Sequence, residues 1–271
     1  MRNVKKYYLF YVICFFALVL FLYIVFASRP FKEGFDVSDF INSIDVIYWI
    51  NLDRATDRKN YMGSLLSDPI FKNIPRIRIS ATDGKIPDDM YKKIIKYNKQ
   101  PERSDSEYGC LLSHLDAINK FAKSSYNNAI IFEDDVSLDF KPYWKKPLSE
   151  VIDGAPADWD IIMLAYNTDN GFFPNEYEKY NGQYLTLAYI INQKGAKKIM
   201  DKTEYNGKYI LSDNIHVADS YIYNEANTYV YKFPYFVSRD NNDSFIHTEH
   251  IPIHTTYKDV AVQSYNKENK K

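Results

Sequence analysis

Apolar residues occur along the chain in three patterns, which are one long run, several short runs and a helical stripe. Residues 7–27 contain no charged side chain and are long enough to cross a bilayer as a helix of about 20 residues. Further along, short apolar runs at residues 45–50 and 129–132 alternate with segments of helical period. This alternation predicts βαβ units, and therefore an α/β domain with a mainly parallel sheet flanked by helices.

The same patterns predict the other elements of the domain. Residues 106–123 form the clearest helix, in which Leu111, Leu115 and Ile118 share one face and His114 lies on that inward side. Residues 165–182 are predicted to be a long polar loop, which is either a functional lid or simply disordered. The remaining predicted strands are residues 77–80, 159–164, 184–192 and 228–233, and the remaining helices begin near Thr56, Pro142, Lys194 and His216.

These elements divide the chain into an amino-terminal tail (1–6), a transmembrane signal anchor (7–27), a stem (28–43), a globular domain (44–258) and a flexible tail (259–271). A cleaved signal peptide is the alternative to an anchor, but bulky aromatic residues continue here to Phe26. The flanking basic residues slightly favour a cytosolic amino terminus. We therefore expect a single-pass membrane protein whose domain, in a eukaryotic secretory pathway, faces the lumen of the endoplasmic reticulum or Golgi.

Charge argues against one class of partner, and cysteine content argues against disulfide bonds in the domain. The 34 basic residues are balanced by 35 acidic ones, which leaves a net charge of −1 and argues against nucleic acid as a partner. Of the two cysteines, Cys14 lies in the predicted span and Cys110 in the domain. No disulfide is therefore expected within the domain.

Three consecutive acids, Glu133, Asp134 and Asp135, follow the apolar run at residues 129–132. The carboxyl end of a buried parallel strand opens into the crevice where such sheets bind ligands. Clustered carboxylates repel one another unless a cation lies between them, and hard oxygen ligands favour Mg²⁺ or Mn²⁺. The alternative is a strand that ends in a solvated acidic turn.

Six short motifs, taken in order, extend this observation. They are INLDR (50–54) with DR (57–58), ATDGK (81–85), EYGC (107–110) with SH (113–114), FEDDV (132–136), AYI (188–190) with GA (195–196), and AD (218–219). Together they resemble glycosyltransferase family 25, the lipooligosaccharide and collagen β-galactosyltransferase family, over nearly all of the domain. The segment from Pro234 onward also resembles a closing motif of that family, but Arg239 stands where glutamine is usual.

The resemblance implies a GT-A fold and an inverting hexosyltransferase. Its donor would be UDP-galactose or UDP-glucose, its cofactor Mn²⁺ (or Mg²⁺), and its acceptor a hydroxyl of a glycan, a lipid-linked sugar or a protein. Asp135 and Glu133 would hold the metal, and Asp219, with Asp213 in reserve, would be the catalytic base. Donor contacts would come from Asn51, Asp53, Arg54, Arg58, Asp83, Lys85, Glu107, Ser113, His114 and Asp134.

Each assignment has a structural alternative. Asp53 with Arg54 could be a surface ion pair, Arg58 could be solvated, and Asp83 to Lys85 could be only a turn. The others are a core histidine for His114, an acid in the first helical turn for Glu107, and a helix cap for Asp219. His247, His250 and His254 form a further metal hypothesis.

Two functions other than sugar transfer are compatible with part of the sequence. A non-catalytic sugar-binding or membrane interaction module would keep the fold, but acids not needed for a metal are costly to hold together. A Mg²⁺-dependent phosphotransferase would need a phosphate-cradling loop. The chain has no G-x-x-x-x-G-K-[ST] motif.

Overall fold

The structure is a computed structural model that describes residues 40–96, 103–167, 173–211 and 217–239, together with 258–259, 261–262 and 265. All of them belong to one compact unit that begins at Asp36. Six helices are described, which are α1 (Thr56–Leu65), α2 (Pro87–Lys92), α3 (Asp105–Ala122), α4 (Leu148–Asp153), α5 (Gln193–Thr203) and α6 (Ala218–Asn224).

Twelve strands are described in the same part of the chain. They are β1 (Val46–Asn51), β2 (Arg76–Ser80), β3 (Ile94–Lys96), β4 (Asn128–Glu133), β5 (Val136–Ser137), β6 (Ile161–Met163), β7 (Tyr177–Lys179), β8 (Ala188–Asn192), β9 (Glu204–Tyr205), β10 (Lys208–Ile210), β11 (Thr228–Tyr231) and β12 (Val237–Ser238).

The central sheet has seven strands in the order β2-β1-β4-β8-β6-β11-β7. The pairs β1–β2, β1–β4 and β6–β11 are parallel, whereas β8 is antiparallel to both β4 and β6, and β7 is antiparallel to β11. Five strands therefore point the same way and two point the other way. This confirms the predicted α/β class and the mainly parallel sheet, with β8 inserted against the common direction.

Both faces of the sheet are buried. Alternate residues of β1, Val46, Tyr48 and Ile50, join one apolar core together with residues of α3, α5 and α6. On the opposite face, the Phe132 ring lies edge-on to the Phe71 and Phe236 rings, with centroids 6.0 and 4.9 Å apart. Burial on both faces explains why these strands are apolar without the period-two alternation of a half-exposed strand.

Helix α3 begins with a complete capping box. The Ser104 hydroxyl accepts a hydrogen bond from the Glu107 backbone N–H, and the Glu107 carboxylate accepts one from the Ser104 backbone N–H. This reciprocal pair satisfies two of the donors that every helix start leaves open. The helix then runs unbroken to Ala122 beneath the sheet, which confirms its prediction to within one residue at either end.

Three expectations are modified by the structure. The stretch expected to be only a loop contains β7, which extends the sheet beyond β11. Tyr265, in the predicted tail, is buried and donates a hydrogen bond to the Pro234 carbonyl. In place of a helix at Pro142 there is one 3-10 turn (Lys141–Tyr143), followed by α4.

The expected single-pass membrane location is corrected. Among the helices of the described residues, none is both long enough and apolar enough to cross a bilayer. The predicted span itself, residues 7–27, lies outside the described residues.

Candidate active site

The three acids lie at the carboxyl end of β4, as the sequence predicts. This edge also carries the end of β1, because Ile50 of β1 is in register with Glu133 of β4. The carboxyl ends of parallel neighbours meet at one edge of a sheet, so residues that follow β1 approach the acids. The three side chains nevertheless occupy three different environments.

Asp134 is buried and fully engaged. Its Oδ2 accepts a hydrogen bond from Asn51 Nδ2 at 2.6 Å, and its Oδ1 forms an ion pair with Arg58 Nη1 at 2.7 Å. Arg58 is itself only 7% exposed, so it is not the solvated residue that the sequence left as one alternative. Asp134 thus connects the acidic edge, which is the end of β4 at residues 133–135, to β1 and α1.

Asp135 is the acid that lacks such partners. Its Oδ2 lies 3.6 Å from Arg58 Nη1, and its buried Oδ1 receives no hydrogen bond within the described part of the chain. Burial, together with the negative charges of Glu133 and Asp134, raises the pKa of Asp135 to about 7, although Arg58 opposes this rise. A buried carboxylate oxygen without a donor fits a cation ligand, so the donor set here suits a hard divalent ion.

Glu133 is held by polar groups from two other elements. Its Oε1 accepts a hydrogen bond from Thr186 Oγ1 at 2.6 Å and lies 3.2 Å from His114 Nε2. Burial would raise the pKa of Glu133, but the contacts with His114 and Thr186 outweigh it and lower the pKa. His114 is completely buried, and its Nδ1 lies 3.1 Å from the Tyr189 hydroxyl. His114 is therefore both a core residue and a neighbour of the acids.

Asp219 lies beside the same acids through the segment that precedes β8. Its Oδ2 accepts a hydrogen bond from the Leu185 backbone N–H at 3.1 Å, and its Oδ1 accepts one from Ser220 N–H at 2.7 Å. Burial raises the pKa of Asp219, and the charge of Glu133 adds to the rise. A carboxylate with a raised pKa close to a cluster of acids is typical of a catalytic base.

The Leu185 backbone is strained. Its φ of 100° lies in a region that residues with a Cβ rarely adopt. The conformation is held from both sides, because Asp219 accepts the Leu185 N–H and the Tyr223 hydroxyl donates to the Leu185 carbonyl at 3.0 Å. It also presents the next residue, Thr186, to Glu133. Such strain clusters at functional sites, where the surrounding structure maintains it.

The end of β1 carries a second polar network. Asp53 accepts hydrogen bonds from Ser80 Oγ at 2.7 Å and from Arg78 Nη2 at 2.6 Å, which lower the pKa of Asp53. Arg54 pairs with Asp83, with 2.5 Å between Nε and Oδ2. The predicted donor contacts Asp53, Arg54 and Asp83 thus lie together, each paired with a neighbouring side chain.

The turn at residues 81–85 is packed directly on α3. A Cβ on Gly84 would overlap the Asp105 carbonyl, and one on Gly109 would lie 2.6 Å from the Thr82 oxygen. The Ser113 hydroxyl accepts the Thr82 N–H at 2.8 Å and donates to the Gly109 carbonyl. Glycine is needed at both positions because two backbones approach closely there.

Several predicted donor residues therefore have structural partners. Ser113 supports the turn, while Glu107 closes the capping box and pairs with Arg103 at 3.0 Å. Lys85 donates its backbone N–H to Asp83, and its side chain is exposed. For Glu107 and Lys85, these contacts correspond to the structural alternatives that the sequence left open.

Other predicted residues lie outside the described residues. They are Asp213, His247, His250 and His254. Arg239 is described, and its backbone N–H donates to the Asp135 carbonyl at 2.9 Å while its guanidinium lies 4.6 Å from the centroid of the Tyr61 ring. The unusual residue of the closing motif therefore adjoins the acidic edge.

Sequence reasoning missed several residues of this edge. Arg78 contacts both Asn51 and Asp53, and its place on a short strand carried no functional signal. Thr186 and Leu185 lay within a predicted strand whose observed start is Ala188.

The family model described as Glycosyltransferase family 25 (LPS biosynthesis protein) matches residues 44–216. The chain belongs to glycosyltransferase family 25. This confirms the family predicted from the six motifs, and it agrees with the predicted enzyme class, a glycosyltransferase.

Curated relatives carry related names. A "Glycosyltransferase 25 family member" of Aedes aegypti is 30% identical over 179 residues, and "Procollagen galactosyltransferase 1" of Danio rerio is 26% identical over 175 residues. Each match covers 58% of this chain but only 28% of the relative. A solved glycosyltransferase involved in glycosylation of the major capsid of PBCV-1 aligns with 69% of this chain and 92% of its own at 12% identity, with a TM-score of 0.28.

Proposed function

We propose that this protein is a metal-dependent, inverting glycosyltransferase of the GT-A type that transfers galactose, or alternatively glucose, from a UDP-sugar to a hydroxyl group. The acceptor would be a glycan, a lipid-linked sugar or a protein. Family membership supports sugar transfer. The observation that carries the proposal further is the buried, unpartnered Oδ1 of Asp135 at the sheet edge.

The acidic edge supports metal dependence. Asp135 would be the principal ligand, because Asp134 is already occupied by Asn51 and Arg58. Glu133 is the second candidate, since its carboxylate adjoins the same edge. A divalent ion bound there would stabilise the charge that develops on a departing diphosphate. Arg58, which lies between Asp134 and Asp135, would keep the two carboxylates in place.

Asp219 supports the proposed displacement. An inverting transferase needs one carboxylate to accept the proton of the attacking hydroxyl. The pKa of Asp219 is raised by burial, which makes it a better proton acceptor than an ordinary exposed carboxylate. Hydrogen bonds from two backbone N–H groups hold the Asp219 carboxylate in one orientation. The hydroxyl group that receives the sugar could therefore approach a fixed base.

The test measures UDP release from UDP-galactose and from UDP-glucose by the full chain, with Mn²⁺ or EDTA. The Asp135→Asn variant should lose metal-dependent release, whereas Asp88→Asn, at an exposed position in the first turn of α2, should retain it. Isothermal titration of UDP with and without Mn²⁺ is the second readout.

The outcomes separate a transferase from the non-catalytic alternative. Mn²⁺-dependent release of UDP that is lost in Asp135→Asn supports the transferase and identifies the donor. Binding of UDP without release from either donor would favour a sugar-binding module. If the protein neither binds UDP nor releases it from either donor, both the transferase and the sugar-binding module are refuted.

A further inference from the structure

A second group of potential metal ligands lies next to the acidic edge. Cys110, His114 and Glu133 each direct one ligand atom into a space in which these atoms all lie within 4.8 Å of one another. Cys110 and His114 are four residues apart on α3, so both project from the same face of the helix. The third member comes from the end of β4, which α3 underlies.

The histidine is oriented for a ligand. Its Nδ1 lies 3.1 Å from the Tyr189 hydroxyl and its Nε2 faces Glu133 at 3.2 Å. With an ion bound, Nδ1–H would donate to the Tyr189 hydroxyl and the Nε2 lone pair would face the ion, which would replace the direct contact between Nε2 and Glu133. A second hydrogen bond that fixes the tautomer is the usual support of a metal-bound histidine.

The carboxylate has a matching support. Thr186 donates to Glu133 Oε1 at 2.6 Å and thereby fixes the orientation of the carboxylate. Thr186 is held by the strained segment at Leu185, which Asp219 and Tyr223 fasten from the other side. Two of the three prospective ligands are therefore already positioned by buried polar neighbours.

The electrostatic surroundings favour a cation. The carboxylates of Glu133, Asp219 and Asp135 lie near the Cys110 thiol and surround it with negative charge. These charges would stabilise a divalent ion bound to the sulfur.

We propose that Cys110, His114 and Glu133 form a binding site for a thiophilic divalent cation, for which Zn²⁺ is the best match. Sulfur, imidazole nitrogen and carboxylate oxygen are the three ligand types of Zn²⁺, and three protein ligands leave a fourth position open to water or another ligand. Binding releases the thiol proton to solvent and forms a bond between sulfur and metal. Mn²⁺ prefers oxygen ligands and does not compete well for such a set.

The site bears on regulation if the proposed function holds. Glu133 would be shared between this set and the oxygen ligands around Asp135. Zn²⁺ bound to Cys110 and His114 would draw Glu133 away from the Mn²⁺ position. We therefore expect Zn²⁺ to inhibit Mn²⁺-dependent release of UDP, an expectation that rests on the proposed function.

Binding is tested independently of activity. Full-length protein with the Cys14→Ser substitution, so that Cys110 is the one remaining thiol, is treated with chelator, dialysed and titrated with Co²⁺ as a spectroscopic substitute for Zn²⁺. A saturable thiolate-to-Co²⁺ charge-transfer band that Zn²⁺ removes on addition is expected. Cys110→Ser should abolish the band, and Glu133→Gln should weaken Co²⁺ binding by more than about 10-fold.

Two further variants define the site. Tyr189→Phe keeps the ring but removes the hydroxyl behind His114, so Zn²⁺ affinity should fall by roughly 10-fold. Asp135→Asn should keep the Co²⁺–thiolate band even if it loses all Mn²⁺-dependent activity. Circular dichroism and urea unfolding verify that each variant is folded.

The results that overturn the proposal are distinct from those that overturn the transferase. Absence of a thiolate band in the parent protein excludes the site. A band that survives unchanged in both Glu133→Gln and Tyr189→Phe reveals an isolated thiol that binds metal adventitiously, and also overturns it. If the band behaves as expected but no UDP is released with any metal, the site stands and only its regulatory role fails.

Discussion

The raised pKa of Asp135 leads to a quantitative prediction for Mn²⁺ binding. The carboxylate must be ionised to bind the metal, so protons compete with Mn²⁺ below its pKa. With a pKa of about 7, roughly one molecule in eleven is ionised at pH 6 and roughly ten in eleven at pH 8. Mn²⁺ affinity should therefore increase about tenfold between these two pH values.

The same shift sets the direction of stability without metal. The folded protein holds the Asp135 proton more tightly than the unfolded chain, whose Asp has a pKa near 3.8. Stability of the metal-free protein should therefore decrease as the pH rises from about 4 to about 7. Saturating Mn²⁺ should offset this loss, because the ion binds the ionised, folded form.

Isothermal titration calorimetry of Mn²⁺ in two buffers of different ionisation enthalpy measures both the affinity and the protons released. Release should be close to one proton at about pH 6 and close to none at about pH 8. Asp134→Asn removes a neighbouring negative charge and should shift the midpoint below about 7. Equal affinity at both pH values, without proton release, would refute the reasoning.

Three further predictions concern stability, measured by urea unfolding. Arg58→Met leaves the buried Asp134 carboxylate without its ion-pair partner and should lower the free energy of unfolding by about 3–5 kcal/mol. Adding Asp134→Asn should restore part of that free energy, and additive losses would contradict a direct pair. Gly84→Ala should lower the free energy of unfolding by about 3 kcal/mol, because the new Cβ overlaps the backbone of α3. Gly63→Ala, in open space on α1, should be neutral or stabilising, and equal effects of the two substitutions would argue against the overlap. Ser104→Ala removes one half of the capping box and should cost about 1 kcal/mol, and no loss would mean that water replaces the hydroxyl.

The amino-acid sequence was sufficient for the elements that depend on local pattern. The period of apolar residues identified β1, β4 and α3 to within one residue, because burial on one or both faces determines which positions must be apolar. The run Glu133 to Asp135 marked the sheet edge, because these acids directly follow a buried apolar strand. The six ordered motifs identified the family.

Partners of the candidate site required the tertiary structure. Asn51 and Arg58 contact Asp134 across 83 and 76 residues, and such contacts depend on β1 lying beside β4. Periodicity reports which side of an element is buried, but it does not report which other element covers that side. The individual roles of three adjacent acids were therefore invisible in the sequence.

The antiparallel insertion of β8 between β4 and β6 is the feature of the fold that most affects the candidate site. It brings the segment before β8 to the end of β4, so that Thr186 reaches Glu133 and Leu185 reaches Asp219. The backbone at Leu185 is a conformation that no local preference favours, and it persists because tertiary hydrogen bonds hold it. Residue types and strand positions were thus determined locally, whereas the grouping of Cys110, His114 and Glu133 was decided only when the sheet and α3 packed together.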